Sequence, residues 1–260
     1  MTKNRKILLI AVCIVFVAVV IFVGFSVFTV KKVNADFSLS ESGKDKAVAI
    51  KDKLDGYIGK NLLFFNTDEI KNDVEKDPYL EVVSLTKSYP NVIEITVKER
   101  QGVFAIEYNS KKYVLSDEGI VLSELEENYN QRDYVALTVS GYTIEKIALG
   151  QKILLSNNDC LNDLLAISYA YEYNDCVKSM SVEKIHDTKT LGYQTYITLN
   201  TYSGVQIAIW NAERDGVEKV QKAFNAYNSE ESDYKKSSDK IDVYEDETGK
   251  IVVKWDKENN

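Results

Sequence analysis

Leu80 to Arg100 read LEVVSLTKSYPNVIEITVKER. Two runs with the alternation of strands, LEVVSLTKS and VIEITVKE, flank Tyr89-Pro90-Asn91. Proline presets φ for a turn and asparagine tolerates unusual turn geometry, so the spacing predicts a β-hairpin. Val83 and Leu85 on the first strand, with Ile93, Ile95 and Val97 on the second, alternate with polar residues. One face of the hairpin is therefore expected to be buried and the other wet. Upstream, Ser42 and Asp45 have the spacing of a capping box, followed by Ala47, Ile50, Leu54 and Ile58 at helical intervals. A second, shorter helix is expected in NTDEIKNDVEKDP, capped by Asn66 or Thr67, with Ile70 and Val74 inward and Asp77-Pro78 ending it. With the extended lead-in ADFSLS, residues 36–100 are expected to form a β-α-α-β-β module.

Further upstream, Ile7 to Val30 form 24 residues without an ionisable carboxylate, amine or guanidinium. About 20 apolar residues span a bilayer core as a helix, and a core helix of a soluble domain seldom stays apolar all round. Residues 7–30 are expected to be a transmembrane helix, contacting the lipid bilayer. Lys3, Arg5 and Lys6 outweigh Lys31 and Lys32 followed by Asp36, which places residues 1–6 in the cytoplasm as a short stub and the remainder outside. Val33-Asn34-Ala35 resembles a signal-peptidase site, but the apolar run far exceeds the usual 7 to 15 residue core of a cleaved peptide. Cys13 reads as a small hydrophobe within the span, since Val12 precedes it where a lipoprotein signal has a small residue.

Five of the 32 basic side chains fall in the first 32 residues, with no acid among them. The rest of the chain carries the other 27 against all 40 acids, a net charge of −13. Such a body repels phosphate backbones, so nucleic acid is not an expected partner. The single histidine, His186, sits in VEKIHD with no serine or cysteine nucleophile signature nearby. No Cys/His cluster with zinc spacing and no glycine-rich phosphate loop occurs. Paired carboxylates are expected by chance on so acidic a surface. Catalytic, cofactor-binding and metal-binding residues are accordingly expected to be none.

From Gly102 onward, VFAIEY, KYVLS, GIVLSE and DYVALTVSG read as strands of a meander. A helix is expected over residues 158–173, capped by Ser156 or Asn157, and its length would hold Cys160 and Cys176 about 24 Å apart, beyond disulfide reach. Strands return in VKSMSVEKI, YQTYITLNT and GVQIAIW, and a helix over 213–227 is expected to turn Val217, Val220 and Phe224 inward. Residues 101–228 thus form a second, mixed α/β module, and the polar stretch 229–240 a linker. In 241–255, IDVYEDETGKIVVKW, the turn Asp-Glu-Thr-Gly predicts a last hairpin with Ile251, Val253 and Trp255 on one face, leaving 256–260 as a tail. Overall the fold class is α+β.

The anchor, NLLFFNTDEI and DPYLEVVSLTKSYPNVIEITVKER together resemble the FtsQ/DivIB family of bacterial cell-division proteins, whose first external module is a POTRA domain. Lys87, the turn aromatic Tyr89, Pro90, Glu99 and Arg100 fit that family's pattern, while Tyr89 replaces a frequent Trp and Gln101-Gly102 stand where Pro is common. YVLSDEGIVLSE, LNTYSGVQIAIW and the helix after them continue the likeness into the family's β domain. The resemblance implies a non-enzymatic single-pass scaffold of the divisome at the septum, recruiting bitopic partners of FtsL and FtsB/DivIC type, near peptidoglycan. It implies partner binding at the terminal strand region, here Tyr244, Gly249, Ile251, Val253 and Trp255, where an open edge would accept a partner's strand. The alternative is that this hairpin only closes the sheet, with Trp255 plugging the core. Glu99 and Arg100 are expected at an interdomain junction, or else form a solvated strand end. A membrane-anchored receptor reading cell-wall glycan or peptide is the competing function, disfavoured by a stub too short to signal; a glycan-cleaving enzyme ranks third.

Overall fold

The computed structural model describes residues 3–126, 129–156, 176–187, 192–229 and 239–256. The chain divides into two units after Arg100. The first opens with α1 (Lys3–Val27), whose described side chains from Ile10 to Val27 are almost all exposed. That stretch is apolar and long enough to cross a membrane. The helix stops short of the expected Val30, which is 1% exposed and belongs to the core of the module that follows.

Strand β1 (Lys32–Ser38) begins four residues before the expected module start and pairs in parallel with β3 (Val92–Glu99). β3 in turn pairs antiparallel with β2 (Leu80–Ser88), giving the sheet order β1-β3-β2. α2 (Lys44–Asp55) and α3 (Thr67–Val74) lie between β1 and β2 in the chain, so the β-α-α-β-β order holds. The entry to α2 differs from the capping-box expectation. A short 3-10 turn, Glu41–Gly43, precedes the helix, and the Ser40 side chain accepts from the Gly43 amide. Ile50 and Leu54 are buried as expected, whereas Ile58 lies beyond the helix end and is exposed. Asn66 caps α3 by accepting from the Asp68 amide, and Ile70 and Val74 are buried.

The hairpin forms around Tyr89-Pro90, joined by a cis peptide, with one correction to its buried face. Val82 pairs with Val97 and Ser84 with Thr96, so Val83 is the extra residue of a β-bulge and is 54% exposed. Leu80, with Val82 and Leu85 half-buried, supplies the inner face of β2 instead. Ile93, Ile95 and Val97 join Val30, Leu54, Leu62, Phe65 and Ile70 in this core. Each such side chain contributes about 1.5 to 3 kcal/mol by leaving water. Tyr57 donates a hydrogen bond to the Asp73 carboxylate, and burial together with that acceptor pushes its phenol up to about 12.

In the second unit, β4 (Gly102–Tyr108), β5 (Lys111–Ser116) and β6 (Val121–Glu124) form an antiparallel meander. β7 (Val135–Ser140) does not continue it. β7 returns to pair in parallel with β4, and β10 (Val177–Asp187) pairs in parallel with β7. Between them β8 (Ile144–Lys146) and β9 (Leu154–Leu155) make a separate two-stranded ladder. β11 (Gly192–Thr201) and β12 (Gln206–Ile209) extend the sheet antiparallel, α4 (Gly216–Ser229) crosses over, and β13 (Lys240–Glu245) lies parallel to β12. β14 (Ile251–Asp256) completes nine strands in the order β14-β13-β12-β11-β10-β7-β4-β5-β6. Val220 and Phe224 of α4 are buried, but Val217 is 53% exposed, because the inward face is centred on Lys219, Val220, Ala223 and Tyr227. The helix expected over 158–173, with Cys160, lies outside the described residues, as does most of the 229–240 linker.

Candidate functional site

The candidate site is the terminal hairpin and its outer strand. Period-two alternation sets the faces: Ile241, Val243 and Glu245 stand opposite Trp255, Val253 and Ile251, while Asp242 and Tyr244 stand opposite Lys254 and Val252. Ile251, Val253 and Trp255 pack half-buried against the main core, on the face where α4 lies over β13 and β14. The structure thus brings these three candidates together and places Tyr244 on the other face. That outer face carries charge pairs, Lys240 with Asp242 at 2.9 Å and Lys254 with Asp256 at 2.7 Å. The Asp256 carboxylate also holds the Lys254 amine above its usual range.

Gly249 occupies the turn with φ +79°, a conformation that favours glycine. Asp246 organises the rest of the turn. Its carboxylate accepts from the Thr248 hydroxyl at 2.6 Å, the Thr248 amide at 2.9 Å and the Lys250 amide at 3.0 Å. These bonds, led by the Thr248 hydroxyl, hold Asp246 below the usual carboxylate range.

The base of the hairpin is fixed by residues that sequence reasoning missed. Lys219 of α4 is fully buried; its Nζ lies 2.7 Å from Glu245 Oε1 and donates to the carbonyls of Asn211 (2.7 Å) and Trp210 (3.1 Å). Arg214 approaches the other Glu245 oxygen at 3.3 Å. Trp210 Nε1 donates to Asp242, and its backbone amide to Val243 O. A lysine at an inward helical position carries no pattern signal, whereas the Asp-to-Gly spacing of the turn did.

Among the described residues no strand lies outside β14, and an edge strand of this kind is a surface on which a further strand can pair. The opposite end of the sheet is finished differently. There Val121 donates to Gln151 O and accepts from the Gly150 amide, and Ile120 bridges Lys152, so the segment 150–152 covers the start of β6.

Glu99 and Arg100 find their partners within the first unit. Glu99 accepts from the Ser40 amide at 2.9 Å, and a Cβ on Gly43 would meet its carboxylate at 2.7 Å. The Arg100 side chain, 10% exposed, donates to the carbonyls of Pro78 and Leu80 and lies 3.5 Å from Glu81 and 3.9 Å from Glu75. Its own amide donates to Tyr79 O. The end of β3 is therefore clamped to both the entry of α2 and the connection from α3 to β2. His186 is exposed on β10, its ring edge-on to Tyr193.

Residues 46–100 match the family model of the POTRA domain, FtsQ-type, which ends where the first unit ends. The chain is 29% identical over 112 residues to the cell division protein DivIB of Clostridium acetobutylicum, covering 42% of this chain and 44% of that one. It is 24% identical over 165 residues to DivIB of Clostridium tetani, covering 64% and 58%. Against the cell division protein FtsQ of Geobacter sp. strain M21 it is 26% identical over 196 residues, covering 75% and 66%. The chain thus matches about half the length of the two DivIB relatives. The POTRA module, the apolar helix before it and this set of relatives agree: residues 46–100 carry an FtsQ-type POTRA domain, and the chain is similar to cell-division proteins named DivIB and FtsQ.

Proposed function

We propose that this protein is a non-enzymatic, single-pass membrane scaffold of the divisome. It presents β14 to bitopic proteins of FtsL and FtsB/DivIC type at the division septum. The observation that carries this reading is the open edge of β14 on a hairpin whose base is held by the buried Lys219–Glu245 pair. A partner strand added there would gain main-chain hydrogen bonds, each worth about 0.5 to 1.5 kcal/mol net, and alternate side chains would set its register. α1 serves as the anchor, with the basic N-terminal flank in the cytoplasm and both units outside. Glu99 and Arg100 act at the junction by fixing the point from which the chain leaves the POTRA module. The test is affinity purification of the full chain from solubilised membranes of dividing cells. Copurification of bitopic FtsL- and FtsB/DivIC-type proteins is expected. Retention on purified peptidoglycan without them would overturn the scaffold in favour of a wall receptor.

A further inference from the structure

The apolar helix does not run into a free linker. Leu62 donates to Phe28 O at 2.6 Å, Val30 to Lys60 O at 2.8 Å and Gly59 to Val30 O at 2.9 Å, and Lys31 donates to Asn91 O at 2.9 Å. Thr29 and Asn61 form an antiparallel bridge, and the Asn61 side chain reaches Phe25 O at 3.5 Å. Two POTRA segments, the 59–65 loop and the turn after Tyr89, are therefore bonded directly to residues 28–31 that follow α1, and Asn61 also to the helix's last turn. On these segments stand large apolar side chains that the POTRA core does not use: Phe64 is 76% exposed, Leu63 45% and Tyr89 60%. The Phe64 ring stacks on Phe25 of the helix, centroids 5.7 Å apart at 29°, and Tyr89 meets Phe28 edge-on at 6.0 Å.

Phe25 lies two residues before the helix end at Val27, about 3 Å along the axis at 1.5 Å per residue. The 18-residue apolar window Ile10–Val27 is about 27 Å long, close to the thickness of a hydrocarbon core. If that window fills the core, Phe25 sits at its boundary, and a ring stacked on Phe25 shares its depth. Exposed Lys31 and Lys32, with Lys60 nearby in the chain, supply the cations that flank interfacial aromatics.

We propose that the 61–64 loop and Tyr89 form a membrane-interface wedge, Phe64 and Leu63 lying in the headgroup and upper acyl region of the leaflet at the C-terminal end of α1. The wedge rests on the reading of α1 as a membrane anchor. It would hold the POTRA module against the bilayer surface and keep it from swinging about the end of the span. Phe64 has no packing role inside the unit's buried core, so replacing it leaves the fold intact.

The test uses the full chain with Cys13, Cys160 and Cys176 replaced by alanine, reconstituted in vesicles of phosphatidylethanolamine and phosphatidylglycerol. A nitroxide is attached to Phe64→Cys, to Ile21→Cys within the span, or to Val83→Cys, six residues of β2 from Tyr89 and so about 20 Å away. Collision rates with oxygen and with a water-soluble nickel chelate report depth. The expected result is loss of chelate collisions at residue 64 relative to residue 83, with a depth between those of residues 83 and 21. A label at 64 as open to chelate as that at 83, with 21 shielded, would overturn the wedge and leave the anchor standing. Chelate access at 21 would overturn the anchor, and the wedge with it.

Discussion

The two ends of the nine-stranded sheet are finished in opposite ways. At β6 the backbone groups of Val121 are taken up by Gln151 and Gly150, so that edge is capped at its start by the chain itself. At β14 the described residues leave the edge uncovered, and the fold instead secures the strand from behind, through Asp246 in the turn and Glu245 against buried Lys219. An uncovered edge invites uncontrolled pairing, and the proposed docking of a specific partner strand would use an edge held on a supported hairpin. A capped edge needs no such support.

The largest expected effect comes from removing the support. Lys219→Met leaves Glu245, 12% exposed, without its buried cation. The expected loss is about 3 to 5 kcal/mol, toward the lower figure because Arg214 remains. Both tryptophans, Trp210 and Trp255, lie in the second unit, so their fluorescence during urea unfolding reports this unit alone. A loss under about 1 kcal/mol, the worth of an exposed pair, would mean that the buried pair does not secure the edge.

A lesion toward the capped end sharpens the contrast. At Gly102 a Cβ would lie 2.6 Å from Val114 Cγ1 and 3.0 Å from the Tyr134 ring. Gly102→Ala is expected to cost about 1 to 3 kcal/mol by overpacking, with partner binding at β14 unchanged; loss of binding would show that the two ends are not independent.

The first unit supplies a control that tryptophan does not see. Tyr57→Phe removes the hydrogen bond to Asp73, at a cost of about 1 kcal/mol, read by far-UV circular dichroism. Because the phenol is raised from 10.0 to about 12, its contribution is complete below pH 10 and is lost as pH rises from 10 to 12. Wild type is expected to lose first-unit stability across that window more steeply than Tyr57→Phe.

The smallest effect is expected at the turn. Asp246 titrates below the usual carboxylate range, so its contribution is present above the unfolded value and disappears as pH falls through the folded one. Asp246→Ala is expected to speed amide exchange at Thr248 and Lys250 at neutral pH and to flatten the acid dependence of Trp255 fluorescence. Unchanged exchange would show that the carboxylate does not order the loop.

The features readable beforehand were those with a local period. The hairpin over Leu80 to Glu99, the helices around Ile50 and Ile70, and the inward face of Ile251, Val253 and Trp255 all follow from spacings of two or three to four residues. What escaped has no local signature. The bulge at Val83 inverts a face that strict alternation would bury. The parallel return of β7 to β4 is a long-range pairing that the run of strand-like segments cannot distinguish from a continued meander. Lysine is a residue type that ordinarily faces solvent, and it is Glu245 with the carbonyls of Trp210 and Asn211 that makes the burial of Lys219 tolerable. The partners of Arg100 lie 19 to 25 residues earlier in the chain, beyond any motif.

The uncovered edge as the docking site is tested most directly by photo-crosslinking in dividing cells. A benzophenone amino acid is placed singly at Tyr244, Ile251 or Trp255, and at Ser123 on the capped strand β6. Adducts with bitopic division proteins are predicted from the terminal hairpin and not from Ser123. Adducts of equal yield from Ser123, or none with a division protein from any hairpin position, would contradict the account.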